Sequence, residues 1–191
     1  MTWRRRVLRY VTVVAVGAGL PESLAAQQDR LVVLVRHAER AQEPADDPGL
    51  TPAGVDRAQA LREVLAATGL NAVITTQLRR TQLTAAPSAE QYHLTPIVVR
   101  AGGGTEAHGR AVAEAVRARP AGEAVLVVGH SNTVPAIIAA LGGPALPDLC
   151  DSEYATLFTL LVPAVGSPRL VRSTYGAPDP PAAQDCRRTM R

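Results

Sequence analysis

From Arg30 onward, unbroken apolar runs alternate with stretches whose apolar positions recur every three or four residues. Leu31-Val32-Val33-Leu34-Val35 shows no apolar–polar alternation, which marks a strand buried on both faces, as in a parallel sheet. Ala41 to Gly49 reads as a loop. Thr51-Pro52 then supplies an N-cap followed by a first-turn proline, opening a helix with Val55, Ala58, Leu61, Val64 and Leu65 on one face and Gly69 as its stop. Asn71 to Thr76 is a short strand. It leads to a helix from near Leu78, which Pro87 is expected to kink or end. Pro96 to Val99 is a third strand, and Ala101-Gly102-Gly103-Gly104 forms a hinge before a helix over about Thr105 to Ala118. Ala124 to Val128 is a fourth buried strand. Gly129-His130-Ser131-Asn132 turns it into a helix carrying Val134, Ile137, Ile138 and Leu141, closed by Gly142-Gly143. Glu153 to Val162 and Arg169 to Ser173 read as a final antiparallel pair. Strands alternating with helices predict a three-layer α/β/α sandwich with a mostly parallel central sheet.

The two ends differ from this body. Arg4-Arg5-Arg6 and the short apolar core from Tyr10 to Leu20 are followed by small residues suited to cleavage after Ala25 or Ala26, so residues 1–26 read as a signal peptide. The apolar run is shorter than the roughly 20 residues a bilayer span requires, although a retained membrane anchor is the competing reading. The expected mature chain is exported, periplasmic or extracellular, with no stable membrane span. It comprises a domain over residues 27–175 and a Pro- and Arg-containing tail over 176–191.

The 191 residues fit one domain, and 47% apolar with 19% charged residues describes a globular chain. The formal charge of +3 suggests an acidic partner only until it is located. The excess lies within residues 1–26, and the remainder is neutral. With no lysine and 3% aromatic residues, a basic nucleic-acid surface with stacking platforms is excluded. An oxidising compartment favours a bridge between Cys150 and Cys186, but the sequence equally permits two separate thiols. It names no oligomeric state.

Candidate chemistry gathers at strand ends. The first strand ends in Arg36-His37, the second leads to Arg79-Arg80, and the fourth ends in His130-Ser131-Asn132. In a parallel sheet with right-handed crossovers these ends share one edge, where open α/β folds bind ligands. Two imidazoles and at least two guanidiniums would then face one point beside a helix N-terminus at Ser131-Asn132. That arrangement suits a phosphoryl dianion, through arginine forks and free backbone N–H groups.

These segments resemble the histidine phosphatase (phosphoglycerate mutase-like) superfamily. Arg36-His37-Ala38-Glu39 is similar to its Arg-His-Gly-Glu signature. Thr76 to Ala85 is similar to its second segment, and Gly129-His130-Ser131-Asn132-Thr133 to its second-histidine segment. Thr51-Pro52-Ala53-Gly54 with Gln59-Ala60 matches the helix after the first motif. The resemblance implies a phosphatase acting on a small-molecule or surface-polymer phosphomonoester, with no metal and no cofactor. His37 would be the nucleophile, forming a phosphohistidine, while its other ring nitrogen donates to a backbone carbonyl. Arg36, Arg80 and His130 would hold the phosphoryl oxygens, with Ser131, Asn132 and Arg40 as further phosphate contacts. Arg79 would be a rim residue. Glu106 is the candidate general acid, with Asp47 and Glu43 as rivals, and His93 and His108 are read as surface residues. Ala38 and Ser131 depart from glycines of the family pattern. Two other phosphoryl readings are a non-catalytic binder of the same fold and a phosphomutase. A zinc hydrolase built on His37, His130 and Glu39 or Glu106 is disfavoured by the arginines, which would repel the cation.

Overall fold

The computed structural model describes residues 28–181. The expected signal peptide and Cys186 lie outside these residues. The described chain runs β1 (Arg30–Arg36), α1 (Pro52–Val64), β2 (Leu70–Thr75), α2 (Arg79–Gln91), β3 (Ile97–Val98), α3 (Thr105–Arg117), β4 (Ala124–Gly129), α4 (Thr133–Ala140), β5 (Thr156–Val162) and β6 (Arg169–Thr174). The strands form one sheet in the order β3-β2-β4-β1-β5-β6. β3, β2, β4 and β1 pair in parallel, β5 is antiparallel to β1, and β6 is antiparallel to β5. Only β5 is reversed. The fold class is thus the one the alternation of elements predicts.

Side chains alternate across a strand, and each face of this sheet has a helical cover. Val32 and Leu34 of β1 join Val125 and Val127 of β4 beneath Val112 and Val116 of α3 and Ile137 and Ile138 of α4. Val33 and Val35 point the other way, with Leu126 and Val128, under Leu61 of α1 and Ala85 and Ala89 of α2. Two buried faces explain why β1 and β4 carry no polar residue before their ends. At about 25 cal/mol per Å² of apolar surface buried, these layers supply the main force holding the sheet edge in place. No helix among the described residues is long and apolar enough to cross a membrane.

Local expectations needed three corrections. Val55 and Val64 are half exposed at 50% and 54%, and Arg57 takes the buried face beside Ala58 and Leu61. The helix also ends at Val64, and Gly69 instead makes the left-handed turn (φ +66°) into β2. α2 runs through Pro87 to Gln91. The hydrogen bond lost there falls at Leu83, on the exposed side of the helix, where water can replace it.

Candidate active site

The sheet register brings the two histidines together. Arg36 on β1 is paired with Gly129 on β4, and His37 N–H extends that ladder to the Gly129 carbonyl at 2.9 Å. His37 and His130 are therefore the next residues on neighbouring parallel strands. Their ring centroids lie 5.3 Å apart at 64°. Gly129 is required where it stands, since a Cβ there would lie 2.9 Å from Thr133 Oγ1. That hydroxyl accepts the His130 N–H at 2.8 Å.

Proton positions follow from the partners. His37 Nδ1 lies 2.8 Å from the Ala38 carbonyl. A carbonyl only accepts, so Nδ1 carries the proton and Nε2 keeps its lone pair. Burial, countered in part by the Ala38 carbonyl, and then His130, Arg36 and Arg80 lower the His37 pKa to about 3. Its nucleophilic form therefore persists at neutral pH. Ala38 is fully buried, its N–H donates to Thr84 Oγ1 at 2.9 Å, and its backbone is not left-handed. Alanine fits this turn.

His130 Nε2 is 3.3 Å from Thr76 Oγ1, which is 2.9 Å from Thr81 Oγ1. The single Thr81 hydroxyl proton is committed to the Leu78 carbonyl at 2.8 Å. Thr76 must then donate to Thr81 and accept from His130, making Nε2–H the donor form of this ring. Burial, then Arg80, His108 and Arg36, lower its pKa to about 4.

Arg36 is fixed by backbone carbonyls, and both arginines keep a donor unused among the described residues. Arg36 Nη1 donates to the carbonyls of Cys150 (2.6 Å), Asp151 (3.0 Å) and Glu153 (3.2 Å). Its guanidinium lies 4.2 Å from the centre of the Tyr154 ring. Yet Arg36 Nε and Arg80 Nε are buried with no hydrogen-bond partner among the described residues. Burial, then Arg40 and Arg36, lower the Arg80 pKa against the pull of Asp47. Clustered cations with unused N–H groups are matched to an anion.

Arg36, His37, Arg40, Arg80, His130, Ser131 and Asn132 all line one cavity of about 920 Å³. α4 begins at Thr133, so Ser131 and Asn132 belong to the turn before it, and Asn132 Nδ2 donates to Thr105 Oγ1 at 3.0 Å. Arg79 is exposed and outside the lining, and its N–H bonds Asp47 Oδ1 at 3.0 Å. Glu106 also lies outside it, with its side chain exposed and 3.8 Å from Arg110. The carboxylates that do line the cavity are Asp46, Asp148 and Asp151. His93 is exposed, but His108 is only 3% exposed and lines the cavity. The surface reading of His108 is therefore wrong. It is in phase with Val112 and Val116 on α3, a signal the sequence carried.

Tyr154 was missed as well. It lines the cavity, with its ring 6.3 Å from that of His37, and precedes β5, which begins at Thr156 rather than at the expected Glu153. Cys150 is buried. Glu39 is no free ligand, because Arg57 Nε and Nη2 hold its carboxylate at 2.7–3.0 Å.

An α/β sheet edge that presents a neutral imidazole among arginines is chemically suited to hold a phosphoryl group. Residues 32–102 match the family model described as histidine phosphatase superfamily (branch 1). Solved structures share the fold. Mycobacterial glucosyl-3-phosphoglycerate phosphatase is 21% identical with a TM-score of 0.59, the match covering 79% of this chain and 100% of that one. A candidate phosphohistidine phosphatase SixA from Nakamurella multipartitia is 25% identical (TM-score 0.56, 78% and 98% covered). The protein histidine phosphatase SixA complexed with tungstate is 17% identical (TM-score 0.60, 75% and 96% covered). No curated protein matches the sequence.

Proposed function

We propose that the protein is a phosphatase that hydrolyses a phosphomonoester through a phosphohistidine on His37, without a metal ion. The observation that carries this reading is the lone pair on His37 Nε2 beside two buried arginine Nε donors that no protein acceptor uses. Nε2 attacks phosphorus, and the ester P–O bond breaks with its electron pair passing to the alcohol oxygen, which takes up a proton. Water then attacks phosphorus, the P–N bond returns its pair to Nε2, and inorganic phosphate leaves. Arg36 and Arg80 offset the charge on the equatorial oxygens, and His130 packs beside His37 in the same cavity.

The cations that a metal would otherwise supply are here side chains. Phosphatases sharing the fold support the reading. The pattern of residues 1–26 supports export, so a small-molecule or surface-polymer ester outside the cytoplasm is the proposed substrate class. The test is phosphate release from phenyl phosphate in excess chelator, together with ³¹P NMR of the trapped enzyme. Turnover should persist, and the label should be alkali-stable and acid-labile. His37→Ala should lower kcat by several orders of magnitude, as when a covalent nucleophile is removed. Turnover that survives this substitution would refute the proposal.

A further inference from the structure

His108 is a third imidazole at the cavity, and the mechanism above does not use it. It is buried on the first turns of α3, immediately after the segment Ala101 to Gly104 that forms part of the same wall. Its direction is fixed from both sides. Its neighbour Gly109 packs so closely on α4 that a Cβ there would lie 3.1 Å from the Ala136 backbone. On the other side, His108 Nδ1 lies 3.2 Å from the Arg100 carbonyl.

The carbonyl can only accept, so Nδ1 carries the proton and Nε2 is an acceptor. Burial lowers the ring's pKa, which keeps it neutral. Nε2 is buried and finds no partner among the described residues. A core histidine serving packing alone would have this atom satisfied. Its polarity is also opposite to that of the arginine Nε groups. Arg36 and Arg80 present donors that suit phosphoryl oxygens. The carboxylates of Asp46, Asp148 and Asp151 are acceptors, but those residues are exposed, so water serves them. His108 thus brings a buried acceptor to the cavity that His37 and His130 also line, and its ring is close enough to bear on the proton affinity of His130.

We infer that His108 is a specificity-determining residue that accepts a hydrogen bond from a hydroxyl on the alcohol portion of the substrate, so that the preferred substrates are polyol or sugar phosphomonoesters. The inference rests on the phosphatase reading for its biological meaning, but its test is an equilibrium measurement independent of turnover. In the non-hydrolysing His37→Ala background, calorimetry compares sn-glycerol 3-phosphate with n-propyl phosphate, which lacks both hydroxyls. The hydroxylated ester should bind roughly three- to tenfold more tightly, the range expected of one neutral hydrogen bond.

Adding His108→Phe should bring the ratio of Kd values to about one. His108→Gln, which retains an acceptor near the position of Nε2, should restore most of the preference. Equal affinities for the two esters, no binding of either, or a preference that survives His108→Phe would overturn the inference. The first comparison needs no substitution at residue 108, so it decides even if a variant fails to fold. Failure of the phosphatase reading would show separately, as absent phosphate release by the unmodified enzyme.

Discussion

Arg57→Met should be among the most destabilising conservative-volume changes in the molecule. Arg57 is 4% exposed on the inner face of α1. Its Nε and Nη2 hold both oxygens of Glu39, and its Nη1 donates to the carbonyls of Tyr175 (3.1 Å) and Ala177 (3.0 Å). Burial alone would lower its proton affinity, but the Glu39 carboxylate more than offsets this and the net shift is upward. Methionine keeps much of the volume and removes every donor. Glu39 is then left partly buried without a counter-charge, and two carbonyls lose their partner. Breaking a buried pair from one side costs about 3–5 kcal/mol. Glu39 retains 23% side-chain exposure and can rehydrate in part, which favours the lower end, about 3 kcal/mol. For a domain of this size that corresponds to a fall in Tm of roughly 6–12 °C. Circular dichroism on heating, with urea titration at 25 °C, measures it. Arg57→Met with Glu39→Leu should recover much of the loss, because a buried pair replaced on both sides by apolar groups is often neutral. A single-variant loss under about 1 kcal/mol, or a double variant as unstable as the sum of the two singles, would refute the reasoning.

Arg80→Ala should raise KM and lower kcat together, whereas Arg79→Ala should change either by less than about twofold, since only Arg80 lines the cavity. Equal damage from both, measured by steady-state kinetics, would reassign the phosphate ligand. Gly54→Ala should cost more than the roughly 1–3 kcal/mol typical of overpacking, because the added Cβ would overlap the Glu39 carbonyl; urea unfolding reads the loss. The folded pKa values of His37 and His130 are lowered to about 3 and about 4, so below about pH 6.5 the unfolded chain binds protons that the folded one refuses. Stability should therefore be complete above that pH and decline as pH falls towards 4 and then 3. NMR of the imidazole rings should show neither titrating between pH 5 and 8, and an inflection for His37 near its ordinary value would contradict the burial argument.

How much of this was legible in the chain varied by element. β1 and β4 could be read because burial on both faces leaves no polar residue until the strand ends, and the parallel register then sets His37 beside His130. Arg36 followed from its place at the end of β1 and Arg80 from its place after β2. α1 was rotated in the reading because Val55 and Val64 are apolar and Arg57 is charged. Its partner Glu39 is 18 residues away, and such a pairing overrides local hydropathy. His108 shares the phase of Val112 and Val116, so periodicity held the answer, and the residue type hid it. Tyr154 had no such cue. It is placed by Asp179, whose carboxylate accepts the Tyr154 and Ala155 N–H groups at 2.8–3.1 Å. Glu106 drew interest through its place after the glycine hinge, but the helix turns it outward to Arg110.

The clasp on Arg36 has a consequence for biosynthesis. The carbonyls that fix this guanidinium come from Cys150, Asp151 and Glu153, between 114 and 117 positions further along the chain. A ribosome-bound intermediate holding the first motif, the second motif and even His130 still lacks the groups that orient its first guanidinium. The arrangement around Arg36 is thus completed only after residues 150–153 have been made.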